Sequence, residues 1–235
     1  MRVSRTRRLL LCLCALASLG LPVAGGAEEE PAPTPDIAMA IARSDIEEVR
    51  RHLAVAPGCL NPKDPKVRAP LDLAILRKNT PIALLLIQAK ADPNRADRSG
   101  ATPLHHAITR NNPQVVAALL KAGARPDRRD KSGWTPLHHA AAKNQLKTTR
   151  ALLDGGANPM TLSALGGTPL HEAATGGSRE LIRLLLKAKV DPTVRSKQGV
   201  TALDLARKHG NKDAIELLSS PPADAAEDAN GEAAG

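Results

Sequence analysis

The hydrophobic positions of this chain fall at helical spacing within short segments, and the segments recur along the sequence. In "PLHHAITRN", Leu104, Ala107 and Ile108 lie three or four residues apart, and "PQVVAALLKAG", which follows directly, has apolar residues at similar intervals. Asn111 and Asn112 separate the two segments. This pattern predicts pairs of short helices joined by a tight turn.

The helical pattern has a period of 33 residues. The phrase TPLH occurs at 102–105, 135–138 and 168–171, with APLD at 69–72 and TALD at 201–204. Two further series keep the same period: Ala74, Ala107, Ala140, Ala173 and Ala206, and Leu53, Leu86, Leu119, Leu152, Leu185 and Leu218. Because several independent series share one period, the sequence indicates an array of structural repeats.

Each repeat contains signals for where its helices begin and end. A threonine precedes the first helix and is predicted to cap it, with proline at the first helical position in three of four cases; these residues are Thr102, Thr135, Thr168 and Thr201. Gly123 and Gly156 end the second helix, where a left-handed backbone is needed. Lys90 and Lys189 take that place in two units, at a cost of up to about 1 kcal/mol each.

Residues 97–129 read "DRSGATPLHHA…VVAALLKAGARPD", and this pattern resembles the ankyrin repeat. Residues 130–162 and 163–195 match nearly as well, and the resemblance covers about 36–220. It implies an all-α ankyrin-repeat solenoid of about six helix-turn-helix units with β-hairpin-like loops. The units lie near 36–63, 64–96, 97–129, 130–162, 163–195 and 196–220.

Some units depart from the family pattern. The second unit reads "DPKVRAPLD" and lacks the turn glycine, so its hairpin is expected to differ from the others. The first and last units are atypical, and Asp204 stands where the family has a histidine. Atypical ends are expected in a repeat array, because a terminal unit meets a neighbour on one side only.

The paired histidines in "PLHHA" raise the question of a metal or acid–base site. The resemblance implies that His105, His138 and His171 are structural and bond to the threonine hydroxyl and nearby backbone. His106 and His139 fall at a position that the family leaves free. On adjacent repeats these two would lie roughly 8–10 Å apart, one helix spacing, which is too far to share an ion. The prediction is therefore no metal and no cofactor.

No motif for catalysis is present in the sequence. "HEAAT" lacks the second histidine of a zinc-protease helix, G-x-S-x-G is missing, and the glycine pairs match no nucleotide-binding loop. The chain is predicted not to be an enzyme. The alternative from a different class is a metal-dependent hydrolase that uses the histidine-rich face.

The N-terminus has the features of an export signal. A basic region, Arg2–Arg8, precedes the apolar run Leu9–Ala24, and small residues follow. Residues 1–26 are predicted to be a signal peptide cleaved near Gly26 or Ala27. An uncleaved membrane anchor is the alternative, and general and twin-arginine export both stay open.

The expected location follows from this signal. The chain resembles exported bacterial (periplasmic) ankyrin-repeat proteins, and we expect it to be periplasmic or secreted. Residues 27–35 are predicted to be a linker, and 221–235 a disordered acidic tail. Removal of the signal would leave Cys59 as the one cysteine, so no internal disulfide is possible.

The predicted folded part is strongly basic, since residues 31–220 hold 29 basic and 17 acidic side chains. The family register places many of the cations on the concave face, which is either a solvated surface or a docking site for an acidic protein. Trp134, the one tryptophan, should be substantially exposed there as an anchor. The predicted partner-binding residues are Arg98, Arg110, Lys131, Trp134 and Lys143, with further cations at Arg68, Arg77, Lys197 and Lys208.

Other partners are weighed against this protein partner. Nucleic acid is not expected, because the chain has no Phe or Tyr to interleave with its cations for base stacking. A membrane-surface adaptor acting through the basic face is an alternative, and membrane anchoring is possible only through an uncleaved N-terminal segment. The protein is predicted to be a monomer.

Overall fold

The computed structural model describes residues 36–62 and 67–219. The predicted signal peptide, the linker and the acidic tail lie outside these residues, as does part of the second hairpin. The described residues contain twelve α-helices and one 3₁₀ helix, and none of them is in a β-strand. The helices are α1 (Ile37–Arg43), α2 (Ile46–Val55), α3 (Pro70–Leu76), α4 (Thr80–Gln88), α5 (Pro103–Thr109), α6 (Pro113–Lys121), α7 (Pro136–Ala142), α8 (Leu146–Asp154), α9 (Pro169–Gly176), α10 (Arg179–Lys187), α11 (Ala202–His209) and α12 (Lys212–Ser219); the 3₁₀ helix, Pro57–Leu60, follows α2.

The twelve helices form six pairs that stack in two layers. The first helix of each pair packs against the first helices of its neighbours, from α1 through α3, α5, α7 and α9 to α11. The second helices, α2 to α12, stack in the same way beside them. The predicted all-α repeat solenoid is therefore confirmed.

Threonine capping boxes begin four of the first helices, as the sequence predicts. In α5, α7 and α9 the third helical residue is a histidine, and its backbone N–H donates to the threonine side chain. The imidazole of the same histidine accepts a hydrogen bond from the threonine N–H. In α11, Asp204 replaces the histidine and completes the same box with Thr201. Helix α3 follows Ala69, and its start has no side-chain cap.

The core is built from the two periodic series of small and large apolar residues. The alanine series is fully buried between the helix layers, from Ala74 to Ala206. The central leucines Leu86, Leu119, Leu152 and Leu185 are also fully buried. Small alanines let the two helices of a pair approach closely, and the leucines fill the space between neighbouring pairs.

The turns after the second helices adopt the left-handed backbone that the sequence predicts. Gly123 and Gly156 have φ of 88° and 85°. Lys90 and Lys189 are held at φ of 69° and 60°, so both lysines do occupy the strained cap position.

The loops between pairs are closed by hairpin-like hydrogen bonds. The Asp130 N–H donates to the Trp134 carbonyl at 3.0 Å, and equivalent bonds close the hairpins that begin at Asp97, Ser163 and Ser196. The backbone N–H of Lys131 also donates to the carbonyl of Ser99 in the preceding hairpin at 3.0 Å.

Candidate functional site

The histidines of the TPLH phrases hold the starts of the first helices. His138 is fully buried, and its Nδ1 lies 2.8 Å from the Thr135 hydroxyl. Its Nε2 lies 3.0 Å from the Gly167 carbonyl, which can only accept, so this nitrogen carries the proton. Burial lowers the pKa of His138 to about 4, so the ring is neutral at pH 7. His171 makes the same contacts, with Val200 as acceptor at 3.2 Å. These two histidines have the structural role that the sequence predicts.

The second histidine of each pair contacts an aspartate of its own hairpin. The Nε2 of His139 lies 2.8 Å from Asp130 Oδ2, and the Nε2 of His106 lies 3.2 Å from Asp97 Oδ2. Burial alone would raise the pKa of Asp130, but hydrogen bonds from His139 and from the hairpin lower it. From the sequence, these two histidines were expected to lie at positions where the repeat family accepts any residue, with no defined partner. The spacing of an aspartate with a histidine nine residues later, found in both units, could have revealed the pairs.

Trp134 is half-buried, which is less exposed than the sequence analysis expected. Its indole lies against two imidazoles, with ring centroids 5.0 Å from His139 and 6.3 Å from His138. Its backbone N–H donates to Asp130 Oδ1 at 3.1 Å, which fixes the backbone position from which the indole projects. The indole is therefore held in one place, and only part of its surface is free to contact a partner.

The four predicted cations of the site are all exposed, and they fall into two equivalent rows. Arg98 and Lys131 lie in the turns of successive hairpins, whereas Arg110 and Lys143 follow the last residues of α5 and α7. Among the salt bridges of residues 36–62 and 67–219, none involves these four side chains. We call the hairpins and first-helix ends that carry these residues the hairpin–helix face.

An apolar hairpin adjoins these rows, and the sequence analysis overlooked it. Met160, Leu162 and Leu165 are 36%, 41% and 62% exposed in the hairpin that joins the fourth and fifth units. The Leu165 carbonyl accepts from the Lys197 N–H at 2.9 Å, so a lysine of the next hairpin flanks this apolar tip. Ala164 occupies the repeat position of Lys131. The sequence already contains this difference, because "PMTLSAL" has apolar residues at the positions where the preceding hairpin has the charged segment "PDRRDKS".

Three potential metal ligands also meet between the third and fourth units. One ligand atom from each of His105, Asp130 and His139 lies within 4.8 Å of the other two. The imidazoles of His105 and His139 have centroids 5.6 Å apart and planes at 84°. The spacing of about 8–10 Å expected between His106 and His139 does not hold for His105 and His139, whose rings are in contact.

The arrangement of helices and caps defines a class of protein. Six stacked helix pairs, with threonine capping boxes at a period of 33 residues, make this chain a helical repeat solenoid. The family model described as "Ankyrin repeats (3 copies)" matches residues 71–163 and 156–228, which is more than half of the chain. The chain belongs to the ankyrin repeat family.

Two further findings accompany the family match. A search of curated proteins found no match to the chain. Within the part of the chain that the structure describes, no helix combines the length and apolar character needed to cross a membrane.

Proposed function

We propose that this protein is an exported, non-catalytic scaffold that binds a partner protein with an acidic surface. Ankyrin repeats are typically non-catalytic and mediate protein–protein interaction, which supports the general role. The observation that carries the finer proposal is the hairpin–helix face. There, exposed cations without an intramolecular salt bridge among the described residues repeat at the same position of adjacent units, beside a fixed tryptophan.

The charges of the hairpin–helix face favour an acidic partner. Residues 31–220 carry 12 more basic than acidic side chains, since 29 are basic and 17 acidic. Like charges at equivalent positions of adjacent units repel each other, and an acidic partner surface would relieve that repulsion. Long-range attraction of this kind mainly accelerates association and selects against basic partners.

The apolar hairpin indicates what else the partner surface contains. Met160, Leu162 and Leu165 give the scaffold an apolar area that solvent does not favour, with Lys197 beside it. A matching partner would place an apolar side chain among carboxylates. Burial of that side chain would slow dissociation, whereas the surrounding charges would control the rate of encounter.

Export completes the proposal, and it rests on the N-terminal sequence alone. We propose that residues 1–26 are removed and that the mature protein acts as a monomer in the periplasm or outside the cell. Mass spectrometry of the protein from its native host should find a mature N-terminus near Gly26 or Ala27. A soluble cytosolic form with intact Met1 would contradict the proposed location.

Affinity capture from the exporting compartment, followed by binding kinetics with the purified partner, tests the binding face. Trp134→Ala should weaken binding by about 2 kcal/mol, mainly through faster dissociation. The double variant Arg98→Glu and Lys131→Glu should mainly slow association, and added salt should reduce the difference from wild type.

A matched control separates a specific face from net charge. Lys121→Glu and Arg150→Glu make the same change in charge, but both residues are exposed on the second helices, α6 and α8. This control should bind as wild type does. If it slows association as much as the Arg98 and Lys131 double variant, net charge alone attracts the partner and the proposed face is wrong.

A further inference from the structure

The contact between the third and fourth units brings together side chains from three separate elements. His105 belongs to α5, Asp130 to the following hairpin, and His139 to α7. The repeat period explains their meeting, because the last residue of one TPLH phrase faces the hairpin and first helix of the next unit. His138 faces Gly167, and His171 faces Val200, in the same way.

His105 makes a weaker contact than its two equivalents at the nitrogen that faces the next unit. The Nε2 atoms of His138 and His171 bond to carbonyl oxygens. His105 is only 4% exposed, and its buried Nε2 makes no hydrogen bond of full geometry within the described residues. The backbone of Trp134, at the repeat position of those two carbonyls, still interacts with His105 and raises its pKa, against the larger lowering by burial. A buried polar atom whose hydrogen bond is poor is costly, and a ligand bound at this nitrogen would offset that cost.

We propose that His105, Asp130 and His139 form a binding site for one divalent transition-metal ion, Zn²⁺ in the first instance. Two imidazoles and a carboxylate are a common donor set for zinc, and a fourth position would remain for water. The three ligand atoms lie within 4.8 Å of one another, whereas ligand atoms around tetrahedral zinc are about 3.4 Å apart. Side-chain rotation must therefore draw them closer by about 1 Å.

The surroundings of the three side chains suit this role. The Nδ1 of His105 lies 2.9 Å from the Thr102 hydroxyl. When the ring proton lies on Nδ1, Nδ1 donates to that hydroxyl and the lone pair of Nε2 can bind a metal. Nδ1 then no longer accepts the hydrogen bond from the Thr102 N–H. Asp130 is held through its Oδ1 by the Trp134 N–H, which leaves Oδ2 on the side of His139.

The other unit boundaries do not offer the same set of ligands. Ser163 and Glu172 take the places of Asp130 and His139 in the fifth unit, and Ser196 and Leu205 take them in the sixth. Between the second and third units the Asp97–His106 pair is present, but Asp72 stands in the place of His105. This boundary has one histidine instead of two and provides the matched control.

Trp134 supplies a direct readout, because it is the one tryptophan in the chain and its ring lies 5.0 Å from that of His139. The full mature chain, without a histidine tag, would be titrated with Zn²⁺ by calorimetry and with Co²⁺ by absorbance and Trp134 fluorescence. We expect one ion per chain, quenching of the fluorescence by Co²⁺, and reversal of that quenching by Zn²⁺.

Variants assign the binding to these residues. His139→Gln and Asp130→Asn should each weaken Zn²⁺ binding at least about tenfold, whereas His106→Gln should bind as wild type does. Both ligand variants leave the capping box of α5 intact, and circular dichroism would verify that they fold. The proposal fails if the wild-type chain takes up no stoichiometric ion, if His139→Gln binds equally well, or if His106→Gln is the variant that loses the ion.

Discussion

Replacement of Thr148 and Thr149 by valine should stabilise the array, although both threonines lie deep in the fold. They belong to α8, where both side chains are fully buried and both hydroxyls lack a hydrogen-bond partner among the described residues. The equivalent positions hold Val115 and Val116 in α6, and Leu181 and Ile182 in α10. The buried apolar residues also divide into two clusters at this unit.

The magnitude follows from the unsatisfied hydroxyls. Each buried hydroxyl without a partner costs about 1–3 kcal/mol, and valine has nearly the same shape as threonine and a similar helix propensity. We expect a gain of about 1 kcal/mol for each substitution and about 2 kcal/mol for both. With a urea m-value of about 2 kcal/mol/M, the midpoint of unfolding should rise by about 1 M.

Urea unfolding followed by circular dichroism measures this gain, and native-state hydrogen exchange locates it. Amides of α7 and α8 should gain the most protection, because a repeat contacts only its neighbours. The reverse change, Val116→Thr in α6, is the control and should lower stability by a similar amount. Equal or lower stability of the valine variants would refute the reasoning, since it would mean that the hydroxyls bond to carbonyls of the preceding turn.

Two further predictions concern the buried carboxyl and the strained caps. Burial, and to a smaller extent repulsion from Asp97, raises the pKa of Asp72 to about 7. The native state therefore keeps a proton that the unfolded chain loses near pH 4, and the free energy of unfolding falls as pH rises from 4 to 7. Asp72→Asn should therefore stabilise the protein by about 2 kcal/mol more at pH 8 than at pH 5, as measured by urea unfolding at both pH values; an equal effect at both would contradict it. Lys189→Gly should raise stability by about 1 kcal/mol, because a φ of 60° suits glycine. Gly156→Ala, at a φ of 85°, should lower stability in the same urea unfolding assay.

Much of the fold could be predicted from the sequence, because the relevant interactions are local. A capping box spans four residues, so "TPLH" and "TALD" already contain both partners of each box. The fully buried series from Ala74 to Ala206 follows from a period that each unit repeats. In a linear array each unit contacts only its neighbours, so correct pairing of helices requires no long-range information beyond the period.

The sequence alone also determined which residues carry charge at the hairpin–helix face. Arg98 and Lys131 share one repeat position, and Arg110 and Lys143 share another. Wherever these two positions fall within residues 36–62 and 67–219 they are exposed, because the buried positions are already taken by the core series. The exposure of these four side chains could thus be predicted from their register.

Only the tertiary structure decided how side chains of neighbouring units meet. Helix axes of adjacent units lie roughly 8–10 Å apart, but side chains extend from those axes into the space between them. His105 reaches His139 and Asp130 there. Trp134 is half-buried for the same reason, because its indole turns toward two imidazoles instead of solvent. The period fixes where each backbone lies, whereas rotamers and the packing of unlike residues across a boundary fix which atoms are in contact.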